Sequence, residues 1–286
     1  SGNLAEYGGA MVNYGFKGGD SSPSLINVTF SGNSADTGGA IFNDGYNGNS
    51  SPLLTNVTFS GNSAGDEGGA MYNGAFEGGI SSPILTNVLF SGNSTVHNGG
   101  AMYNNGLLGI SNPILTNVTF SGNKAGDNGG GIFNFESNPK VRNSILWNNM
   151  DISGIGTISS SIHNYYGART YIAYSLVQGT GKSGSESWID DKNFVDGGGN
   201  IDSNPLFITP VNPFDAPSSD GNLRLKTGSP AIDSGENTYV DGVLTDLDGK
   251  ARKMDGDGNG TKRVDMGAYE YQIEYLYDGY LPMIFR

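Results

Sequence analysis

Residues 52–73 read PLLTNVTFSGNSAGDEGGAMYN, and this stretch decides the fold. It holds three short apolar pieces, Pro-x-Leu, Val-Thr-Phe and Gly-Ala-Met-Tyr, bounded by Asn or Gly. Val57 and Phe59 point to one face and Thr58 to the other, as the period of two in a strand requires. No piece is long enough to make a sheet alone. The stretch recurs, however. FSGN begins at Phe30, Phe59, Phe90 and Phe120, with spacings of 29, 31 and 30. GGA begins at Gly8, Gly38, Gly68 and Gly99, followed by GGG at Gly129, and a proline recurs at Pro23, Pro52, Pro83, Pro113 and Pro139. Stacked copies pair every strand in register with the one above and below, so the three pieces are expected to form three parallel sheets. The expected fold is all-β: a right-handed parallel β-helix of about 30 residues per rung, rising one strand spacing of about 4.8 Å per turn.

Asparagine supports this coil. Asn27, Asn56, Asn87 and Asn117 fall between the first two pieces, Asn33, Asn62, Asn93 and Asn123 follow the second, and Asn13, Asn43, Asn73, Asn104 and Asn134 follow the third. Asn tolerates left-handed backbone angles, which suits corners, and its amides can bond from rung to rung as a ladder. Phe30, Phe59, Phe90 and Phe120 are expected to stack in the interior beside the Val28, Val57, Val88 and Val118 column. Residues 1–142 form the regular repeats. From 143 to 286 the period weakens, and NSILWN, YSLVQG, GNIDSNPLF, LRLKTGSPAID and VDMGAYEY read as irregular rungs leading to a C-terminal cap.

Composition first suggests disorder, because 47 of 286 residues are Gly and only 15% are charged. The period turns that excess into corners and loops. A net charge of −13 argues against nucleic-acid binding, and no run of 18 apolar residues offers a transmembrane helix. Absence of Cys removes disulfide and thiolate chemistry.

The alternation of GGA(I/M) with FxxN over residues 1–134 resembles the repeats of chlamydial polymorphic outer-membrane proteins. NSILWNN, YSLVQG, GNIDSNPLF, LRLKTGSPAIDSG, TDLDGKAR and VDMGAYEY resemble secreted bacterial β-helix proteins of the choice-of-anchor Q type. These resemblances imply a pectin-lyase-like solenoid, secreted or on the bacterial cell surface, and name no reaction.

Candidate chemistry is sparse. Asp255, Asp257 and Asn259, followed by Gly260, follow the start of a calcium loop, with Thr261 offering its carbonyl and Asp265 closing a shortened version. Met266 stands where a bidentate Glu would complete an EF-hand. Calcium is therefore the one candidate cofactor. An acidic column, Glu6, Asp36, Asp66, Glu67 and Asp127, is broken by His97 and reads as a solvated edge. Basic residues suited to a polysaccharide lyase, Arg142, Arg169, Lys182, Lys192, Arg224 and Arg252, are dispersed, and His163 lies near Tyr165, Tyr166 and Arg169. Thr29, Thr58, Leu89 and Thr119 form an outward column that Leu89 interrupts.

The functional expectation is a non-enzymatic structural or adhesive surface protein, with a polysaccharide-active enzyme or glycan-binding adhesin as the alternative. The chain opens inside a repeat, so it reads as a trimmed piece whose first rung carries unpaired edges. Such an edge would continue upstream or dock another copy head to tail into a fibre. Self-association or a surface protein or glycan is the expected partnership, through the loops at 14–22, 44–51, 74–82 and 105–112 or the apolar tail at 271–286.

Overall fold

A computed structural model describes residues 1–189 and 192–272. Stacked parallel strands build a β-solenoid of about 6 turns at ~30 residues per turn. One sheet contains Met11–Tyr14, Ile41–Asp44, Met71–Gly74, Met102–Asn105, Ile132–Phe135 and Ile162–Tyr165. A second carries the longest strands, Leu53–Ser60, Ile84–Ser91 and Ile114–Ser121, which unite the first two apolar pieces of each unit. Its register matches Val57 to Val88 to Val118 and Phe59 to Phe90 to Phe120.

Between the two apolar pieces the backbone turns at Asn27, Asn56, Asn87, Asn117 and Asn143, all with φ between 46° and 57°. These are the expected left-handed corners, and Asn is the non-glycine residue that enters this region most readily. Buried in the interior, the Phe30, Phe59, Phe90 and Phe120 rings stack at centroid separations of 5.0, 4.7 and 4.6 Å. Two Asn columns form buried amide ladders. In one, Asn33, Asn62 and Asn93 each donate Nδ2 to the next Oδ1 at 2.9 Å, and that oxygen also accepts the donor's own backbone N–H. In the other, Asn13, Asn43, Asn73, Asn104 and Asn134 lie inside the strands, not at corners, with amide bonds of 2.7–2.9 Å.

A third sheet, Leu4–Tyr7, Ser34–Thr37, Ser63–Glu67, Ser94–Thr95, Lys124–Ala125 and Met150–Asp151, adds to the apolar pieces read from the repeat. Its strands are mostly polar, and in the regular coils Ala35, Ala64, Thr95 and Ala125 are its buried residues. The GGA motif joins this sheet to the first. Gly68 takes φ +68°, and a Cβ on Gly69 would lie 2.1 Å from the carbonyl oxygen of Gly100 in the next coil, so neither position admits a side chain.

The coil continues past residue 142 through Ile145–Trp147, Thr170–Ala173 and Leu176–Val177 to a last bridge between Leu176 and Ile201. NSILWN and YSLVQG are thus rungs. GNIDSNPLF, LRLKTGSPAID and VDMGAYEY differ from the expectation. Only Asn200 and Ile201 stay on the coil, and the chain then folds back along its outer flank. Phe207–Thr209 pairs antiparallel with Asn222–Leu225, and Lys253–Met254 with Arg263–Val264. The physical reason lies in the outward column. Thr29, Thr58, Leu89, Thr119, Ile145 and Leu176 are register neighbours, and the later ones are too apolar to face water. Leu89, Ile145 and Leu176 pack with Phe207, Val211, Leu223, Leu225, Ile232 and Met266 in a second core. The Leu89 interruption is a contact of this lateral lobe.

Corner asparagines anchor the lobe. Asn87 donates to the Thr245 carbonyl (2.7 Å), while Asn143 accepts from Glu236 N and donates to Glu236 O (2.8 and 3.0 Å). Thr119 Oγ1 accepts the Ala268 N–H at 2.9 Å.

The buried ladder yields a quantitative expectation. Asn93→Ala leaves the Asn62 N–H and the Phe59 carbonyl without their buried partners. At about 1–3 kcal/mol for each buried group left unpaired, the loss approaches the roughly 3–5 kcal/mol of Phe90→Ala. Asn56→Ala, on the more exposed corner column, costs about 1 kcal/mol or less. Urea unfolding of the three variants checks the order.

Candidate functional site

Two regions carry side chains beyond those the coil needs for itself: the flank formed by the first sheet with its loops, and the lateral lobe.

On the first sheet Met71 and Asn73 face inward, so Tyr72 faces outward. The same alternation in every coil raises an external column, Phe42, Tyr72, Tyr103, Phe133 and His163, with ring centroids 5.0–5.3 Å apart. Reading Asn73 as a corner that ends the strand concealed it; alternation within the M-Y-N tripeptide was the signal. The rings stack on one another, so their faces are covered, and Tyr72, Tyr103 and Phe133 are buried.

The acidic column borders these rings. Burial and the neighbouring Asp66 charge push the Glu67 carboxyl up to about 7, against lowering hydrogen bonds from Tyr103 and Asn98. Burial likewise raises the Tyr72 and Tyr103 hydroxyls. His97, one coil on, bonds Asp127 Oδ2 at 2.8 Å, and that bond raises its pKa. His163 ends the ring column, its ring tilted against Tyr165. It stacks on Phe133, its Nδ1 meets Ser159 Oγ at 3.0 Å, and Ser159 in turn donates to the buried Asp151; burial lowers its pKa.

Beyond the first sheet, the Gly-rich loops form a ridge. Each tip holds an apolar residue, Phe16, Tyr46, Phe76 or Leu107, followed by a residue with positive φ: Lys17 (50°), Asn47 (47°), Glu77 (51°) or Leu108 (60°). In later coils Glu136 (48°) and Tyr166 (51°) hold the left-handed position. Tyr14 stacks on Phe16 at 5.6 Å, Phe16 contacts Tyr46 at 5.8 Å, and Phe135 stacks on Tyr166 at 5.5 Å. Tyr14, Phe16, Tyr46, Leu107, Leu108, Tyr165 and Tyr166 are all exposed.

In the lateral lobe, loops are held by carboxylates. Fully buried Arg252 faces Glu270, 3.8 Å from its Nε, and donates to the Gly267 carbonyl. It also reaches Asn117, whose amide oxygen, turned toward it, lies 2.9 Å from Nε and 3.0 Å from Nη2. Asp246 accepts the N–H groups of Asp248, Lys250 and Glu270. Burial is the largest cause pushing Asp265 up to about 7 and Glu270 up to about 9. Other basic residues also serve docking. Arg142 lies over the Tyr239 ring, and Arg224 lies over Tyr269 while gripping Asp248 with two bonds.

The residues expected to bind metal are only partly brought together. Asp255 and Asp257 converge, but with Asp233 of the SPAIDSG turn in place of Asp265. Asp265 cannot close the loop because its oxygens accept the Asp233 and Tyr271 N–H groups at 2.7 and 2.6 Å. Asn259 Oδ1 accepts the Thr261 N–H, a bond internal to the turn. Of the apolar tail, Tyr271 bonds Thr227 at 2.7 Å; Tyr275, Tyr277, Tyr280, Leu281, Ile284 and Phe285 lie outside the described residues.

Glu67 generates a test. Its folded pKa lies above the ordinary 4.5, so between 4.5 and about 7 the folded chain holds a proton the unfolded chain releases. Stability contributed this way is full below pH 4.5 and is lost as pH rises through 7. Glu67→Gln, neutral at every pH, should flatten that part of a Tm-against-pH profile and give a higher Tm than the parent at pH 8.

Among the described residues no helix is long and apolar enough to cross a membrane. The family model for the Chlamydia polymorphic membrane protein repeat matches residues 27–44, 56–74 and 117–134. Each match runs from a corner asparagine through the FSGN bend and the glycine pair onto the first sheet. Neither the curated proteins nor the solved structures provide a match. The chain is a parallel β-solenoid in which three stretches match the Chlamydia polymorphic membrane protein repeat.

Proposed function

We propose that this chain is a surface-exposed, non-enzymatic adhesive solenoid that binds a protein partner along the ridge of its Gly-rich loops. One observation carries the reading: a line of exposed apolar side chains, Tyr14, Phe16, Tyr46, Leu107, Leu108 and Tyr166, on a rigid coil that does not need them for its core. Apolar side chains aligned in this way mark contact surfaces on soluble proteins. The repeats it shares with polymorphic membrane proteins support a place at the outer membrane or cell surface.

Chemistry favours a protein over a repeating glycan. A polysaccharide laid along the ridge would want the same tip in each coil, whereas Lys17, Asn47, Glu77, Leu108, Glu136 and Tyr166 alternate in charge and polarity. Sugar stacking also needs free ring faces, and Tyr14, Phe16 and Tyr46 pack on each other. The net charge of −13 directs the ridge away from nucleic acid.

Leu108 offers a separation of stability from binding. A leucine at φ 60° carries strain of about 1 kcal/mol that glycine does not. Leu108→Gly should raise stability by up to about 1 kcal/mol. Combined with Phe16→Ser, Tyr46→Ser and Leu107→Ser, it should weaken binding to cultured epithelial cells by roughly tenfold or more. Protease treatment of the cells should abolish binding, and periodate should leave it. Binding unchanged in the folded quadruple variant would refute the ridge, and loss after periodate alone would redirect the reading to a glycan.

A further inference from the structure

The turn at Asp233 and the loop from Asp255 to Gly260 meet in the lateral lobe, where one oxygen from each of Asp233, Asp255 and Asp257 lies within 4.8 Å of the others. Proximity of three acids does not make a site, since exposed carboxylates gather on many surfaces. What distinguishes this group is its unpaired oxygens. Asp233 is only 8% exposed. Its Oδ2 accepts the Asp257 N–H at 2.7 Å, while its Oδ1 is buried and meets no donor among the described residues. Asp255 repeats the pattern, with Oδ2 accepting the Gly260 N–H at 2.9 Å and Oδ1 buried without a partner. Buried carboxylate oxygens are ordinarily paired, and leaving them bare beside a third carboxylate is costly.

Three basic side chains near the loops are engaged elsewhere. Arg263 donates Nε to the Gly235 carbonyl, Arg252 is turned to Gly267 and Glu270, and Lys253 reaches Asp241. None of these three neutralises the cluster, and a bound cation would.

We propose that Asp233, Asp255 and Asp257 bind a calcium ion that ties the Asp233 turn to the Asp255–Gly260 loop. The donor set is all oxygen, which suits a hard cation. Oxygens that lie within 4.8 Å of one another can all reach a calcium ion at about 2.4 Å, and calcium accepts an irregular oxygen set where magnesium demands a near-octahedral one. Gly256 lets the loop close on the turn: a Cβ there would lie 2.8 Å from Ile232 Cγ2 and 3.4 Å from Tyr271 Cδ1. Asp265 is a positioning residue that holds the Asp233 backbone from behind. This assignment stands apart from the ridge, and either reading can fail alone.

The test uses the full chain stripped with EDTA. Calcium at about 1 mM should raise Tm by roughly 3 °C, magnesium should not, and bound terbium should luminesce when the nearby tyrosine, Tyr271, is excited. Asp233→Asn and Asp255→Asn, folded by circular dichroism, should lose both responses. Asp241→Asn, an exposed acid bonded to Lys253, should keep them. If Asp233→Asn does not fold, the less buried Asp255→Asn decides. No calcium shift and no terbium signal in the parent chain would overturn the site, as would parental responses in a folded Asp233 or Asp255 variant. An equal response to magnesium would overturn the choice of ion.

Discussion

The hydrogen bond between a strand and its own copy one coil away governs this molecule. It sets a distance of about 4.8 Å at which each side chain meets its equivalent. Residues persist where they can be their own neighbours. An asparagine amide presents a donor to one side and an acceptor to the other, so Asn33, Asn62 and Asn93 bond indefinitely along the axis. Phenyl rings stack on themselves, as Phe59 does on Phe90. Carboxylates cannot, because like charges at this distance repel. His97 stands between Asp66 and Asp127 in successive coils, its backbone bonded to both and its ring to Asp127, and so interrupts a column of acids.

How much of this the sequence discloses follows from the same rule. Positions that stack on themselves repeat visibly, which is why the coil, the Phe column and the corner asparagines were legible. Three sheets were expected, but the strands that make the third were not legible, because their buried residues in the regular coils, Ala35, Ala64, Thr95 and Ala125, are small and the strands shorten to two residues. The Tyr72 column was hidden by an assumption that asparagine marks a corner. Asn73 does repeat, but as an interior ladder, which throws the preceding tyrosine outward. Of the proposed calcium site, Asp255 and Asp257 could be read from local spacing. Asp233 could not, since it lies 22 residues before Asp255 and arrives through the fold of the lobe.

The lateral lobe obeys different physics. It has no repeat, and buried carboxylates accepting backbone N–H groups organise its loops. Asp246, Asp265 and Glu270 each take such bonds around the fully buried Arg252. Short β-like strings are common to rungs and to antiparallel hairpins, so GNIDSNPLF and VDMGAYEY carried no local sign of their placement. The sign lay on the coil. An outward column that changes from Thr29 and Thr58 to Ile145 and Leu176 records where another layer covers it.

Self-stacking also confines free variation of side chains to one part of the surface. Inward positions are held by packing, corners by left-handed asparagine, and the glycine pair by contact with the next coil. The loop tips differ. Their backbone path is passed between coils by main-chain bonds, such as Asn47 N to Phe76 O at 3.0 Å and Gly78 N to Leu108 O at 2.6 Å. The left-handed turn therefore forms whatever side chain sits on it, at a strain of about 1 kcal/mol for residues such as Leu108. A position whose backbone is imposed by its neighbours and whose side chain is free is one where chemistry can vary without cost to the coil. Lysine, asparagine, glutamate, leucine and tyrosine all occupy it in this chain. Variation tolerated by the scaffold and exposed to solvent is what a binding surface requires, and the ridge is where the coil permits it.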